Sequence, residues 1–213
     1  MEKYDSARDR WLARSPHADR DEYFQLTQAA VVEYYLADPS NPYQQSGRSG
    51  GAARWEETRR CLVHAIDRNG DFMDIGCANG LLLETLVSWA GQVGFAIRPH
   101  GLDFVPELIE LARRRFPRER DNFIVANAFY WEPHRQYDYV RTNLEYVPRS
   151  DWVELVRRQY RAVVSGGRLI VCHYRNQEES YVALTPIVEA AGLSVVSGID
   201  VPGAAIVWSD GAP

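Results

Sequence analysis

The stretch Phe72-Met73-Asp74-Ile75-Gly76-Cys77-Ala78-Asn79-Gly80 decides how this chain is read. It opens as a short apolar run with one acid, Asp74, and breaks at Gly76. From Leu81 to Trp89 the apolar residues Leu82, Leu83, Leu86 and Val87 recur at helical spacing. A strand that turns on glycine into a helix puts the turn at a strand's carboxyl end, where open α/β sheets bind ligands. Glycine there lets a ligand approach the backbone closely. The pattern is not the Gly-x-Gly-x-x-Gly that holds a pyrophosphate, because the chain has Gly76-x-x-x-Gly80 and carries Asp74 two residues earlier. An acid aimed at a ligand repels a pyrophosphate and favours a cationic group, such as an ammonium or a sulfonium-bearing amino acid. A nicotinamide oxidoreductase is excluded on this ground. Downstream, His100-Gly101-Leu102-Asp103 ends a second strand on an acid. A carboxylate there has two acceptors for the vicinal diol of a ribose, and the same side chain can also cap the helix that follows.

Working outward, strands are predicted at 72–75, 95–102, 123–125, 137–141, 168–174, 193–201 and 204–208. Helices are predicted at 81–89, 106–115, 151–164 and 180–191, with Ser165-Gly166-Gly167 as a turn. Strands alternating with helices give a parallel sheet covered on both faces. The two-residue link Pro202-Gly203 permits only a hairpin, so one strand near the sheet's end runs antiparallel. The N-terminal third differs. Residues 1–22 are charged and lack clear periodicity, 22–36 read as a helix, 41–51 as a loop, and 53–68 as a second helix stopped by Asn69-Gly70. The expected organisation is a helical extension over 1–70 and an α/β core over 71–213.

Composition narrows the function. The chain has 213 residues, 46% apolar and 25% charged, which suits one folded domain. No uncharged apolar run approaches the ~20 residues of a membrane span. The charged N-terminus has no apolar stretch of the secretory type, so a cytoplasmic protein is expected. A net charge of −5 argues against broad nucleic-acid binding. Three scattered cysteines (Cys61, Cys77 and Cys172) suggest neither disulfides nor a metal site, and no metal is expected.

The D-x-G-x-x-x-G segment, with an apolar strand before it and Gly-Leu-Asp after it, resembles the class I S-adenosylmethionine-dependent methyltransferases. The likeness runs from about Phe72 to Trp208. Tyr137-Asp138-Tyr139-Val140 resembles the family's fourth strand, and the stretch from Val164 to Val171 its approach to the fifth. The resemblance implies an α/β fold, a seven-stranded mostly parallel sheet in the order 3-2-1-4-5-7-6 with helices on both faces. It also implies S-adenosylmethionine as cofactor, with S-adenosylhomocysteine as product. The residues it assigns to cofactor binding are Asp74, Gly76, Cys77, Ala78, Gly80, Asp103, Phe104, Asn127, Ala128, Phe129 and Asn143. Asn127 stands where the family often has an acid at the adenine edge. After strand four, the run from Arg141 to Pro148 does not match the Asn/Asp-Pro-Pro-Tyr/Phe signature of enzymes that methylate exocyclic base nitrogens or glutamine amides.

Glu145 and Tyr146 follow strand four and His173 ends strand five, where acceptors enter, so these three are the candidate catalytic residues. Histidine suits a general base near neutral pH. The loop 43–51 holds more functional groups than a spacer needs. Tyr43, Ser46, Arg48 and Trp55 are expected to form a lid over cofactor and substrate, with Arg48 a partner for the cofactor carboxylate. The expected activity is methyl transfer to a small-molecule acceptor. The alternatives are a non-catalytic, cofactor-binding homologue acting as a partner, or an RNA or protein methyltransferase. The sequence leaves a homodimer open.

Overall fold

The structure, a computed structural model, describes residues 6–47, 51–174 and 182–211. Seven strands form one sheet: β1 (Gly70–Ile75), β2 (Ile97–Asp103), β3 (Phe123–Val125), β4 (Tyr137–Asn143), β5 (Val163–Tyr174), β6 (Ser197–Val201) and β7 (Ala204–Asp210). Their order is β3-β2-β1-β4-β5-β7-β6. The first five pair in parallel, and β7 runs antiparallel to both β5 and β6. The expected order and hairpin are both present.

The helices are α1 (Ala7–Arg14), α2 (Arg20–Tyr35), α3 (Gly51–Arg59), α4 (Leu81–Gln92), α5 (Pro106–Arg115), α6 (Trp152–Tyr160) and α7 (Thr185–Ala190). Alternation along the strands sorts two cores. Phe72, Tyr139, Ile170 and Cys172 pack with Trp55 of α3, Leu83 of α4 and Ile109 of α5. Met73, Ile75, Val140, Leu169 and Val171 pack with Val156 of α6 and Val188 of α7. Strands buried on both faces must be apolar throughout, which is why they read as continuous runs.

Within the charged, aperiodic N-terminal stretch α1 forms, with Ser6 accepting the Asp9 N–H at 3.1 Å. It buries only Ala7, so it has no apolar stripe to read. The helix expected over 53–68 is α3 followed by 3-10 turns at Arg60–Ala65. Ser165-Gly166-Gly167 lies inside β5, where Tyr137 pairs with Val163 but Tyr139 with Arg168, so the turn residues form a bulge in a longer strand. The helix expected over 180–191 is the shorter α7, started by Pro186, and residues 180 and 181 lie outside the described residues.

The N-terminal extension is tied to the strand ends. Arg20 makes a bidentate pair with Asp151 at 2.7 and 3.0 Å. The Tyr23 hydroxyl donates to the Glu145 carbonyl at 3.0 Å, and Gln28 donates to the Phe104 carbonyl at 3.2 Å. Helix α2 therefore spans the carboxyl ends of β2 and β4. Among the described residues no helix is long and apolar enough to cross a membrane.

Candidate active site

The turn after β1 is stitched to β2, since the N–H groups of Gly76 and Cys77 both donate to the Leu102 carbonyl, at 2.8 and 2.9 Å. Ala78 sits at φ +49°, the one non-glycine with positive φ among the described residues. A side chain there costs roughly 1–2 kcal/mol. Its methyl packs with Val105 and Leu108, beside Val31, Tyr35 and Leu36. Asp103 holds this conformation: one oxygen accepts the Ala78 N–H and the other the Val105 N–H, both at 3.0 Å. Burial pushes the Asp103 carboxyl up to about 6, against the pull of those backbone N–H groups. The acid at the end of β2 thus organises the turn and the start of α5 together.

Gly76 lies against an aromatic ring. A Cβ added there would run into the Tyr146 ring. The Tyr146 hydroxyl donates to the Gly76 carbonyl at 3.4 Å and accepts from Arg141 at 3.3 Å. Burial pushes the Tyr146 phenol up, so it stays protonated near neutrality.

Asp74 is fully buried and faces Arg141 across the β1–β4 pairing. Nη1 of Arg141 donates to Oδ1 of Asp74 at 2.9 Å, and Nη2 donates to Asn143 at 2.7 Å. An arginine therefore answers the charge of Asp74. Burial pushes the Asp74 carboxyl up while Arg141 draws it back. Oδ2 of Asp74 and Nε of Arg141 are sealed from solvent without a hydrogen-bond partner.

At the ends of β4 and β5, Glu145 and His173 come together, while the Tyr146 side chain turns to Gly76 and Arg141. Nδ1 of His173 lies 3.2 Å from a Glu145 oxygen, but the ring is turned off the hydrogen-bond axis. His173 is buried and Glu145 is exposed.

A cavity of about 290 Å³ opens between α2 (Phe24, Gln25, Gln28) and the ends of β2 and β3 (Phe104, Val125, Ala126, Asn127). Asn127 lines it, although its side-chain oxygen already accepts the Phe129 N–H at 2.8 Å. Ala128 gives its carbonyl to Gln159. Phe129 packs between the guanidinium groups of Arg20 and Arg158, at 4.2 and 4.7 Å from its ring centroid. Cys77 is a buried free thiol, with its sulfur 2.6 Å from where a Cβ on Gly101 would lie. Gly80, at φ +77°, leads into α4.

Of the lid candidates, Tyr43 packs edge-on against Trp55, and Trp55 is a core residue donating to Thr85 at 3.3 Å. The Ser46 hydroxyl donates to the side-chain oxygen of Asn79. Arg48 lies outside the described residues. Sequence reasoning missed Asn79 and Arg141. The Asn79 amide donates to the Pro42 carbonyl at 3.0 Å and the Gln45 side chain at 3.2 Å, latching the loop to the turn. Asparagine beside a left-handed glycine was the available signal for it.

The parts suit a nucleoside-bearing cofactor. A buried acid at the end of β2 fixes the glycine turn, a cavity lined by Phe104 and Asn127 opens at the end of the same strand, and the Tyr146 ring stands against Gly76. Fold and site together have the form of an open α/β sheet with a candidate ligand site at its strand ends. Residues 72–167 match a family profile described as "Methyltransferase domain". That stretch, a little under half of the chain, is similar to the class I S-adenosylmethionine-dependent methyltransferases, a class whose cofactor is S-adenosylmethionine.

The fold is shared with solved structures of low identity. A 1,6-didemethyltoxoflavin-N1-methyltransferase from Burkholderia thailandensis, bound to 1,6-didemethyltoxoflavin and S-adenosylhomocysteine, is 14% identical with a TM-score of 0.65, covering 93% of this chain and 92% of that one. The mitomycin 7-O-methyltransferase MmcR is 18% identical with a TM-score of 0.63, over 97% of this chain and 67% of that one. The N-methyltransferase NodS from Bradyrhizobium japonicum WM9, in complex with S-adenosylhomocysteine, is 14% identical with a TM-score of 0.58, over 96% and 98%. No curated protein matched the sequence.

Proposed function

We propose that this protein methylates a small-molecule acceptor bound at the carboxyl ends of β4 and β5, beneath the N-terminal extension. The observation that carries this reading is the approach of His173 to Glu145 at 3.2 Å, at the ends of β5 and β4. When bound, the cofactor supplies an electrophilic methyl group on its sulfonium. Asp103 is placed to hold the ribose diol through the lone pairs its backbone contacts leave. Gly76 gives close access to the backbone, and the cavity at Phe104 and Asn127 takes the adenine. The protein's share of catalysis is then alignment, worth roughly 7–11 kcal/mol in well-oriented systems. His173 accepts the acceptor's proton on Nε2, and Glu145 stabilises the resulting imidazolium through Nδ1. The small acceptor is consistent with the net charge of −5 and with what the toxoflavin and mitomycin enzymes are named for. Residues 1–70 act as the cover, through α2 and the Asn79 latch. The buried free thiols suit a cytoplasmic setting.

One observation favours a second reading, a homologue that no longer binds cofactor: the Tyr146 ring fills the space against Gly76. Our reading requires that ring to move. A screen of phenolic, amine and heterocyclic acceptors with methyl-labelled cofactor tests it. Labelled product formed by wild type and lost in His173→Ala supports it. No product, with no cofactor binding, supports the second reading.

A further inference from the structure

Helix α2 grips the loop after β4 at two points. Arg20 and Tyr23 are three positions apart, so they share a face of the helix. Arg20 holds Asp151 at the start of α6. The Tyr23 hydroxyl donates to the Glu145 carbonyl at 3.0 Å, across 122 positions of sequence. That carbonyl belongs to the peptide joining Glu145 to Tyr146, inside the 3-10 turn Leu144–Tyr146. Leu144 and Val147 are buried on either side, so the core pins the ends of the turn and Tyr23 holds the peptide between them.

The side chains on the two sides of that peptide do different work. Tyr146 lies against Gly76 and Arg141. The Glu145 carboxylate reaches Nδ1 of His173 at 3.2 Å, yet its side chain is 46% exposed against 8% for His173. A carboxylate so placed exchanges that contact for water at little cost, and staying in one geometry costs side-chain entropy. The backbone that carries it must therefore be held, and the bond from α2 holds it.

Tyr23 is itself built in, at 8% exposure. Its ring packs edge-on against Trp11 of α1, with 6.3 Å between centroids. Trp11 in turn donates its indole N–H to Thr27, one turn further along α2, at 3.0 Å. Burial, and then the charge of Glu145, push the Tyr23 phenol up to about 12 while the Thr27 hydroxyl draws it back, so the phenol keeps its proton and stays a donor. Helix α1 buries only Ala7 of its own, and what it adds is the clamp on this ring.

We propose that Tyr23 is a positioning residue for the proton-accepting pair: its hydroxyl, clamped by α1, sets the turn that carries Glu145 to His173. Such a pair needs its members held to within about 0.5 Å. The proposal rests on the reading of His173 as proton acceptor. It adds that the N-terminal extension assembles the pair as well as covering it.

Proton NMR of the five histidine rings at one fixed pH reads the contact without any acceptor, the His173 signals being identified by their loss in His173→Ala. Tyr23→Phe removes the hydroxyl alone. It should move the His173 signals in the direction that Glu145→Gln moves them and leave the other rings in place. Added to Glu145→Gln, it should move them no further. His173 signals that stay in place in Tyr23→Phe, or that move as far in the Glu145→Gln background as in wild type, overturn the proposal. With any acceptor from the labelled-cofactor screen, Tyr23→Phe should lower kcat about tenfold or more with KM unchanged. An unchanged kcat where His173→Ala is inactive also overturns it. If His173→Ala turns over as wild type does, the reading of His173 fails, while movement of its signals in Tyr23→Phe still supports Tyr23 as the residue that sets the turn. Should Tyr23→Phe not fold by circular dichroism, Trp11→Ala, which takes away the clamp, carries the same comparison, and unmoved His173 signals overturn the proposal there too.

Discussion

The Asp74–Arg141 pair makes the sharpest energetic prediction. Both partners are buried, at 0% and 3% exposure, and they share a 2.9 Å bond. Arg141→Met removes the cation and leaves the carboxylate with no partner in low dielectric. Removing one member of such a pair costs about 3–5 kcal/mol. For a chain of this length, 1 kcal/mol is worth roughly 2–4 °C in Tm, so a fall of roughly 6–20 °C is expected. Asp74→Asn on its own costs less, because an amide oxygen still accepts from Arg141. Asp74→Asn with Arg141→Met loses markedly less than the two single effects together, with a coupling of about 1 kcal/mol or more. The defect in Arg141→Met also depends on pH. Burial raises the Asp74 carboxyl, and losing Arg141 raises it further. A carboxyl raised in the folded state burdens it above that pKa and is relieved as pH falls through it. The gap to wild type therefore narrows on acidification from pH 8 to pH 5. Urea unfolding at a series of pH values measures this. A cost under about 1 kcal/mol, or one that does not change with pH, refutes the account of the pair.

Asp103 gives a second pH signature. Its carboxyl sits at about 6 when folded, against an ordinary 3.8. Its ionisation therefore costs stability above about 6 and is relieved towards 4, by about 3 kcal/mol in total. Urea unfolding should show wild type gaining on Asp103→Asn as pH falls from 7 to 4, and affinity for S-adenosylhomocysteine should fall over the same range. Gly76→Ala places a methyl against the Tyr146 ring at φ +74°, so unfolding should show a loss of roughly 1–2 kcal/mol or more, partly recovered by adding Tyr146→Ala. Asn79→Ala removes the bonds to Pro42, Gln45 and Ser46. Hydrogen exchange should quicken over residues 42–47 while the strands stay protected.

Much of the fold was legible because its signals are local. The strand over 72–75, the Gly76 turn and the helix after it follow from apolar spacing and glycine. The final hairpin follows from a link too short to cross over. Helix α1 was not legible, since it buries a single alanine and is held by polar contacts such as the Ala7 N–H to Glu33. The bulge in β5 reads as a turn because Gly166 and Gly167 look the same in either setting. In the site, Asp103 and Gly76 could be found from position alone. Arg141 could not, because its role depends on β4 lying beside β1, which aligns it with Asp74. Tyr23 was hidden for a similar reason. On a helix it reads as one more residue at apolar spacing, and only the packing of α2 over the end of β4 brings it to Glu145. Asn79 looked like a turn residue, and its partners lie more than thirty positions away in sequence.

The most direct test of the account is calorimetric titration of the purified protein with S-adenosylhomocysteine and with NAD, repeated on Asp103→Ala and Tyr146→Ala. The account predicts that wild type binds S-adenosylhomocysteine and not NAD. Asp103→Ala should weaken binding about tenfold or more, since a hydrogen bond to a charged group is worth roughly 1.5–3 kcal/mol. Tyr146→Ala should bind at least as tightly as wild type, with the ring no longer filling the space at Gly76. No binding of S-adenosylhomocysteine by either wild type or Tyr146→Ala, or undiminished binding by a folded Asp103→Ala, contradicts it.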